Sequence, residues 1–148
     1  MKENVAAVIR KLISPSMRYE IRNAANWWQD SLGRACVWRW EVARFRLQKD
    51  SRFPWLVLVP RVNGMSEVFD LTLADREILH HEILRVAEAL KALTGATKIN
   101  IGALGNIVRQ LHVHIIARFE DDAAWPGPVW GFGQASTYDE EKKQEFIS

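Results

Sequence analysis

The sequence predicts an α+β fold, in which one long helix accompanies short, mostly antiparallel strands. Residues 37–47 and 54–59 are two strand-like stretches separated by a short turn, which is typical of a β-hairpin. Residues 72–94 carry an apolar stripe at helical spacing. Between Gln110 and Ile115, polar and apolar residues alternate strictly, and this is the period of a β-strand. Strand patterns on both sides of a single long helix indicate this fold class.

The composition indicates one globular domain. The chain has 148 residues, of which 48% are hydrophobic and 26% charged, as is ordinary for a soluble protein. No apolar run approaches the ~20 residues of a membrane-spanning helix, no secretory signal is visible, and the single Cys36 fits a reducing compartment. We therefore expect a cytoplasmic domain over 1–148, with a core at about 37–131, a helical extension at 1–33 and a polar tail at 134–148.

The basic N-terminal part could face a polyanion, but the favoured interpretation is that its Arg residues lie on solvated faces of helices and strands. The net charge is +2, with an excess of basic residues in the N-terminal part and of acidic residues in the C-terminal part. No Lys/Arg tract reaches the density that is typical of nucleic-acid binding. We therefore expect no specific nucleic-acid partner and no membrane partner.

The chain before the first strand is predicted to be helical. Residues 4–13 place four apolar side chains at helical spacing, and Asn4 is suited to the N-cap position. Residues 14–16, with a central proline, end this helix. A second helix is predicted over 17–30.

The hairpin prediction includes one irregularity. In residues 37–47 the alternation slips near Ala43, which indicates a bulge or the start of a strand. Residues 49–51 form a turn, and residues 54–59 form a buried strand that Pro60 ends. Asn63 and Gly64 mark a turn in the following loop.

The long helix has recognisable ends. Thr72 and Asp75 resemble a capping box with a shorter acid, and Gly95 is a natural C-cap. His80 and His81 lie inside this helix without the second histidine of a metalloprotease motif. For these two residues we expect a structural or surface role.

The last predicted elements lead to the alternating strand. Residues 98–101 start a strand, and residues 102–106 form a tight turn in which two glycines allow the backbone to approach a ligand. The alternating strand then returns antiparallel. Residues 121–133 are predicted to be a loop, and residues 134–148 a frayed end or a short helix.

The alternating strand places two histidines side by side. Its apolar positions line one face, and Gln110, His112 and His114 line the other. Residues two apart on one face lie roughly 7 Å apart at Cα. Because a neutral imidazole can attack phosphorus while a second histidine and an amide supply donors, this spacing suits a compact anionic group such as a phosphate.

Spacing alone leaves three interpretations of these histidines open. The first is nucleophilic catalysis, in which one imidazole attacks a phosphate. The second is a zinc or iron site, which usually needs a third protein ligand such as Asp121, Asp122 or a histidine of the helix. The third is a structural pair that makes satisfied hydrogen bonds.

The segment from Gln110 to Ile116 resembles the signature of the histidine-triad family of nucleotide hydrolases and transferases. That signature is His-φ-His-φ-His-φ-φ, where φ is apolar, and Gln110 stands in place of the first histidine. The resemblance extends to a strand that ends in a proline and a basic residue, a following helix, a glycine-rich turn and a Trp-Pro ending. In this chain these are Pro60-Arg61, Phe69 to Leu93, Ile99 to Gly105, and Trp125-Pro126-Gly127.

The resemblance implies roles for the three signature positions. His112, the middle member, would be the nucleophile that attacks the α-phosphate of a nucleotide. His114, the last member, would bind phosphate oxygens. Gln110 would take over the support of the nucleophile's tautomer, since an amide can donate and accept hydrogen bonds but cannot become charged.

The resemblance also implies a set of nucleotide- and phosphate-binding residues. Asn106 and Gly105 lie in the turn near the phosphates, Asn100 matches a ribose or phosphate contact, and Asn63 stands where many members have a further histidine. Trp125 matches the ending of the nucleotide-binding branch. Alternatively, Asn63 and Asn106 are simple turn residues, and Trp125 is a hydrophobic lid on the sheet.

The implied fold is HIT-like, with about five mostly antiparallel strands and one long helix packed on them. The implied protein is a homodimer that hydrolyses or transfers nucleotides at the α-phosphate, with dinucleoside polyphosphates or adenylyl compounds as substrates. No cofactor or protein-bound metal is expected, although a divalent ion can accompany a polyphosphate. The alternative is a nucleotide-binding protein with little turnover, because Gln110, Asn63 and Ile107 replace catalytic-type groups.

Overall fold

The computed structural model describes residues 36–39 and 43–137. Its regular elements are the strands β1 (Cys36–Arg39), β2 (Ala43–Leu47), β3 (Trp55–Pro60), β4 (Lys98–Gly102) and β5 (Val113–Arg118), and the helix α1 (Leu73–Thr94). The helices predicted over 4–13 and 17–30 lie outside the described residues. No helix in the described part of the chain is long and apolar enough to cross a membrane.

The five strands form one sheet in the order β1-β2-β3-β5-β4, and every pairing is antiparallel. The predicted α+β class and the hairpin of β2 and β3 are therefore confirmed. The slip in the alternation near Ala43 is explained by the start of β2 at that residue. Because β1 and β2 pair with each other as separate antiparallel strands, residues 37–47 are not one continuous strand.

Helix α1 has the predicted ends. Thr72 is the N-cap, and its hydroxyl accepts a hydrogen bond from the Asp75 backbone N–H at 3.1 Å. The same hydroxyl donates to the Asp75 carboxylate at 2.9 Å. In a capping box this carboxylate would instead accept from the backbone N–H of Thr72. Gly95 ends the helix at φ 67°, in the left-handed region where glycine carries no Cβ penalty.

Each face of the sheet contributes to a core. The first core lies between α1 and the sheet, and the predicted apolar face of β5 belongs to it, with Leu111, Val113, Ile115 and Ala117 all buried. The second core lies on the opposite face and contains Phe53, Trp55, Val57, Ile116, Ala124 and Val129. The histidines therefore lie on the face that the second core shares.

Strand β5 begins three residues later than the alternation predicts. Residues 110–112 are not part of the strand, because Leu111 N–H donates to the carbonyl of Met65 at 2.7 Å instead of joining the ladder. Residues 111–118 are all buried. The alternation therefore separates two cores and does not mark a solvated face.

The turn between β2 and β3 is hydrogen-bonded to residues 132 and 136, near the start of the predicted polar tail. The backbone N–H of Ser136 donates to the Asp50 carboxylate, and Arg52 donates to the carbonyl of Phe132 at 2.9 Å. Burial raises the pKa of Asp50, but hydrogen bonds and the charge of Arg52 outweigh this and leave the pKa below 3.8. The remainder of the tail, from residue 138, lies outside the described residues.

Candidate active site

His112 is held with its Nε2 available as a nucleophile. The residue immediately precedes β5 and is 9% exposed. Its Nδ1 lies 2.7 Å from the backbone carbonyl oxygen of Gln110. Because a carbonyl oxygen can only accept, Nδ1 must carry the proton of the neutral ring, and the lone pair is then on Nε2.

His114 has the opposite arrangement of protons. It lies on β5 between Val57 of β3 and Gly102 of β4, and it is buried. The indole N–H of Trp55 donates to its Nδ1 at 2.9 Å. Because an indole nitrogen can only donate, Nδ1 accepts, and the neutral ring carries its proton on Nε2.

The two rings therefore offer complementary chemistry at close range. Their centroids lie 5.0 Å apart with an interplanar angle of 77°. One Nε2 has a lone pair that can attack an electrophile, and the other has an N–H that can donate to an anionic oxygen. A buried nucleophile beside a fixed donor is what attack on a phosphate requires, since charge develops on its oxygens in the transition state.

Gln110 contacts His112 through its main chain. Its side-chain amide is turned away and donates to the carbonyl of Val62 at 3.2 Å. Together with the bond from Leu111 to Met65, this contact joins the 62–65 turn to the segment before β5. Asn63 lies in that turn, so these two contacts bring it to the His112 end of the sheet. Its side chain is exposed there.

The glycine-rich turn lies against His112. A Cβ at Gly105 would lie 3.5 Å from Cε1 of His112 and only 3.0 Å from the backbone oxygen of Val108. The distance to His112 is an ordinary van der Waals contact, whereas the distance to Val108 is tight, so a side chain here would crowd the backbone of the turn itself. Asn106 and Ile107 of the same turn are exposed, and Ile107 is 97% exposed.

Asn100 and Trp125 meet at a buried arginine further along β5. Asn100 pairs with Ile116 on the histidine face, and its Oδ1 accepts a hydrogen bond from Arg118 at 2.7 Å. The Arg118 guanidinium also lies 5.7 Å from the ring centroid of Trp125. Trp125 thus packs on Arg118, which lies four residues beyond His114 on β5.

The buried cation at position 118 is matched by Asp122. Their side chains form a two-pronged ion pair at 2.7 and 3.0 Å and are 2% and 5% exposed. Burial raises the pKa of Asp122, but hydrogen bonds from Arg118 and from two backbone N–H groups outweigh this and leave the pKa below 3.8. Asp122 therefore remains a carboxylate at neutral pH.

Sequence reasoning missed the two indoles that surround His114. Trp55 bonds to it from β3, and the ring centroid of Trp130 lies 5.6 Å away. Gly102 lies beneath Trp130, because a Cβ there would meet the indole at 3.0 Å. The period of residues 55–59 indicates that Trp55 and Val57 share a face, but it does not indicate which strand lies next to them.

The metal interpretation finds little support in the donor set. Within residues 36–39 and 43–137, no group of three or more His, Cys, Asp or Glu side chains is arranged to hold a metal ion. His80 and His81 are exposed on α1, in agreement with the surface role expected for them. A metal held by His112 and His114 would therefore lack a third protein ligand in this part of the chain.

Comparison with known proteins identifies the family. A protein-family model described as the HIT domain matches residues 35–121, which is more than half of the chain. The chain belongs to the HIT family. A histidine triad (HIT) protein from Sinorhizobium meliloti 1021 is 49% identical to this HIT protein, with a TM-score of 0.76 over 82% of this chain and 93% of the other.

Two further solved structures are similar to this HIT protein. A histidine triad protein from Bradyrhizobium japonicum is 44% identical, with a TM-score of 0.75, and covers 82% of this chain and 92% of its own. One from Marinobacter aquaeolei VT8 is 37% identical, with a TM-score of 0.74, and covers 77% and 83%. A comparison with curated proteins finds no match. The HIT family binds nucleotides and includes nucleotide hydrolases and transferases.

Proposed function

We propose that the protein hydrolyses or transfers a nucleotide at its α-phosphate through a nucleotidyl-histidine intermediate on His112. The observation that supports this proposal best is the pair of hydrogen bonds from which opposite tautomers follow, with a lone pair on Nε2 of His112 and a proton on Nε2 of His114. Dinucleoside polyphosphates and adenylyl compounds such as phosphoramidates are the proposed substrate classes.

The first proposed step forms the intermediate. Nε2 of His112 attacks the α-phosphorus, a nitrogen–phosphorus bond forms, and the bond from phosphorus to the leaving group breaks. The leaving group departs with the bonding electron pair and takes up a proton from solvent water, and the second step returns one proton to solvent. His112 becomes cationic in this step, and the Gln110 carbonyl stabilises the cation by accepting the Nδ1–H bond at 2.7 Å.

The second proposed step releases the nucleotide. Water attacks the same phosphorus, the nitrogen–phosphorus bond breaks, and the electron pair returns to Nε2 of His112. The product is a nucleoside monophosphate, and the water gives up one proton. In both steps the Nε2–H of His114 donates to a phosphate oxygen, where negative charge increases.

Phosphate and nucleotide contacts are proposed for residues around this centre. Gly105 borders His112, Asn106 follows Gly105 in the same turn, and Asn63 lies at the same end of the sheet. Because Asn100 offers its Oδ1 to Arg118, its NH₂ group is the end that can donate to a ligand. The proposed role of Trp125 is less direct, since it packs on Arg118.

A turnover assay with two substrates tests the proposal. The protein is incubated with diadenosine tetraphosphate and with adenosine 5′-phosphoramidate, with and without EDTA, and AMP is quantified. We expect AMP from the phosphoramidate to form at the same rate with EDTA. After an alkaline quench, which preserves a phosphoramidate bond, mass spectrometry of the digested protein should find an AMP adduct on the His112 peptide.

Two other outcomes would replace this mechanism. Tight AMP binding without product or adduct would support the alternative of a nucleotide-binding protein. That alternative has one observation in its favour, because the Gln110 amide is bonded to Val62 and adds no side-chain acid beside His112. Loss of turnover with EDTA and its recovery with zinc would instead support a metal-dependent enzyme.

We also propose that the protein forms a two-fold homodimer through α1 and the edge strand β4. In the described sheet β4 pairs only with β5, and Ile101 on it is 47% exposed. Leu84 on α1 is 49% exposed. Light scattering should give twice the mass of the chain, and Ile101→Lys, which adds a charge to the edge, should lower it towards one chain mass. A single-chain mass for the native protein would exclude this dimer.

A further inference from the structure

Trp55 makes the contact with His114 that assigns the tautomer on which the proposed function depends. Its indole is 5% exposed, and its Nε1–H donates to Nδ1 of His114 at 2.9 Å. The two ring centroids lie 5.4 Å apart at an interplanar angle of 64°. The contact joins residues 59 positions apart in the chain, across neighbouring strands of the sheet.

We infer that Trp55 is a positioning residue that keeps His114 neutral, with its proton on Nε2. This inference rests on the proposed function, because it is the Nε2–H that donates to the phosphate. The indole acts through His114 and does not itself touch the reacting atoms. Its effect is to make His114 a permanent hydrogen-bond donor and to prevent the ring from taking a second proton.

The physical reason is that the indole nitrogen can donate a hydrogen bond but cannot accept one. A second proton on His114 would go to Nδ1, and two N–H groups would then face each other across 2.9 Å. In a buried site neither group could turn to water, so the cation would lose a hydrogen bond and leave a donor unsatisfied. Trp130 packs on the ring from another side at 5.6 Å and opposes a ring flip.

Among the described residues, one charged residue lies in the same row of the sheet as His114. On its own strand segment it faces His112, at a centroid distance of 5.0 Å. Across the sheet, Val57 and Gly102 contribute no charge, and the buried Arg46 of β2 pairs with Val57 in the same row of the sheet. The described part of this row therefore supplies no carboxylate that would favour a cation at His114.

The direct test is the protonation state of His114 observed by NMR. Long-range ¹H–¹⁵N spectra of the imidazoles are recorded from pH 8 to pH 5 for the native protein and for Trp55→Phe. We expect the native ring to show the Nε2-protonated neutral tautomer throughout. In Trp55→Phe the ring should change its tautomer pattern and titrate, as an ordinary histidine does near pH ~6.5.

Trp130→Phe is the matched control. Trp130 also packs on His114, but its buried Nε1 has no hydrogen-bond partner among the described residues. The replacement therefore removes similar volume without removing a donor to the histidine. We expect Trp130→Phe to keep the native tautomer of His114, and a loss of that tautomer in both variants would overturn the inference.

Kinetics then link the contact to turnover. We expect Trp55→Phe to lower kcat about tenfold, the effect of one lost hydrogen bond, with little change in KM. In the His114→Ala background the same change should have no further effect. An Nδ1-protonated His114 in the native protein, or equal losses in both backgrounds, would overturn the inference. An inactive native protein with the expected tautomer would overturn only the proposed function.

Discussion

Replacement of His112 by alanine is expected to lower kcat for AMP release by about 10⁴-fold or more, the scale of losing a nucleophile. The loss should be large because the reaction would have to proceed by direct attack of water, without a covalent intermediate. Single-turnover measurements with adenosine 5′-phosphoramidate would quantify it, and the AMP adduct should disappear from the protein.

Measurements of AMP binding and of thermal unfolding, together with a control substitution on the surface, distinguish a loss of catalysis from a loss of folding. His112→Ala removes a side chain that is 9% exposed, so calorimetry with AMP and a thermal unfolding curve should accompany the kinetics. His80→Ala is the matched control, because His80 is exposed on α1, and it should retain native turnover. Full activity in His112→Ala would show that the nucleophile lies elsewhere.

Local patterns were sufficient for the helix and the hairpin. The ends of α1 were predictable because Thr72 and Gly95 cap through their own chemistry, with a side-chain oxygen and a left-handed backbone. The two faces of β5 were predictable because a strand has a period of two. The start of β5 was not, because the competing partner of Leu111 is a carbonyl 46 positions earlier, at Met65.

The candidate site shows the same limit at the level of single atoms. The alternation predicted that His112 and His114 share a face, but it contained no information on their tautomers. Those depend on a main-chain carbonyl at Gln110 and on the indole of Trp55. The amide of Gln110 was expected to support His112, whereas the structure places it on Val62.

Long-range packing also decides which tryptophan lies beside the histidines. The resemblance drew attention to Trp125, but in the structure Trp125 lies against Arg118 and Trp130 lies 5.6 Å from His114. Both belong to a segment that follows the sheet, where no periodicity relates a residue to its neighbours in space. An arginine in a buried strand, with an acid four residues later, was a signal that could have indicated the ion pair with Asp122.

Replacement of Arg118 by alanine is expected to lower the free energy of unfolding by about 3–5 kcal/mol, the cost of breaking a buried ion pair. The guanidinium is 2% exposed, and beyond Asp122 it donates to Asn100 at 2.7 Å and to the carbonyl of Gly127 at 2.8 Å. Its removal leaves a buried carboxylate and two partly buried oxygens without these donors. Urea unfolding at pH 7 would measure the loss.

Arg76→Ala is the control for the two hydrogen bonds that Arg118 donates outside its ion pair with Asp122. Arg76 donates to the carbonyls of Leu71 and Phe69 at 3.0 and 3.2 Å, and it forms no ion pair with a buried carboxylate within residues 36–39 and 43–137. We expect a loss of about 1 kcal/mol for this variant. An Arg118→Ala protein that loses no more than Arg76→Ala would show that the buried ion pair does not stabilise the fold.

A double replacement and a pH series identify the carboxylate as the cause. Arg118→Met with Asp122→Leu removes both charges, so it should destabilise less than Arg118→Ala alone. Because the pKa of Asp122 in the folded protein lies below 3.8, the contribution of the pair is fully present at neutral pH. In the native protein it is lost as the pH falls through that lowered pKa. In Arg118→Ala the buried Asp122 has no cation beside it, so burial raises its pKa and the variant regains stability when Asp122 takes up a proton. The difference between native protein and Arg118→Ala should therefore shrink as the pH falls below neutral. A difference that stays constant from pH 7 down to about pH 4, the ordinary pKa of an aspartate, would assign the destabilisation to another group.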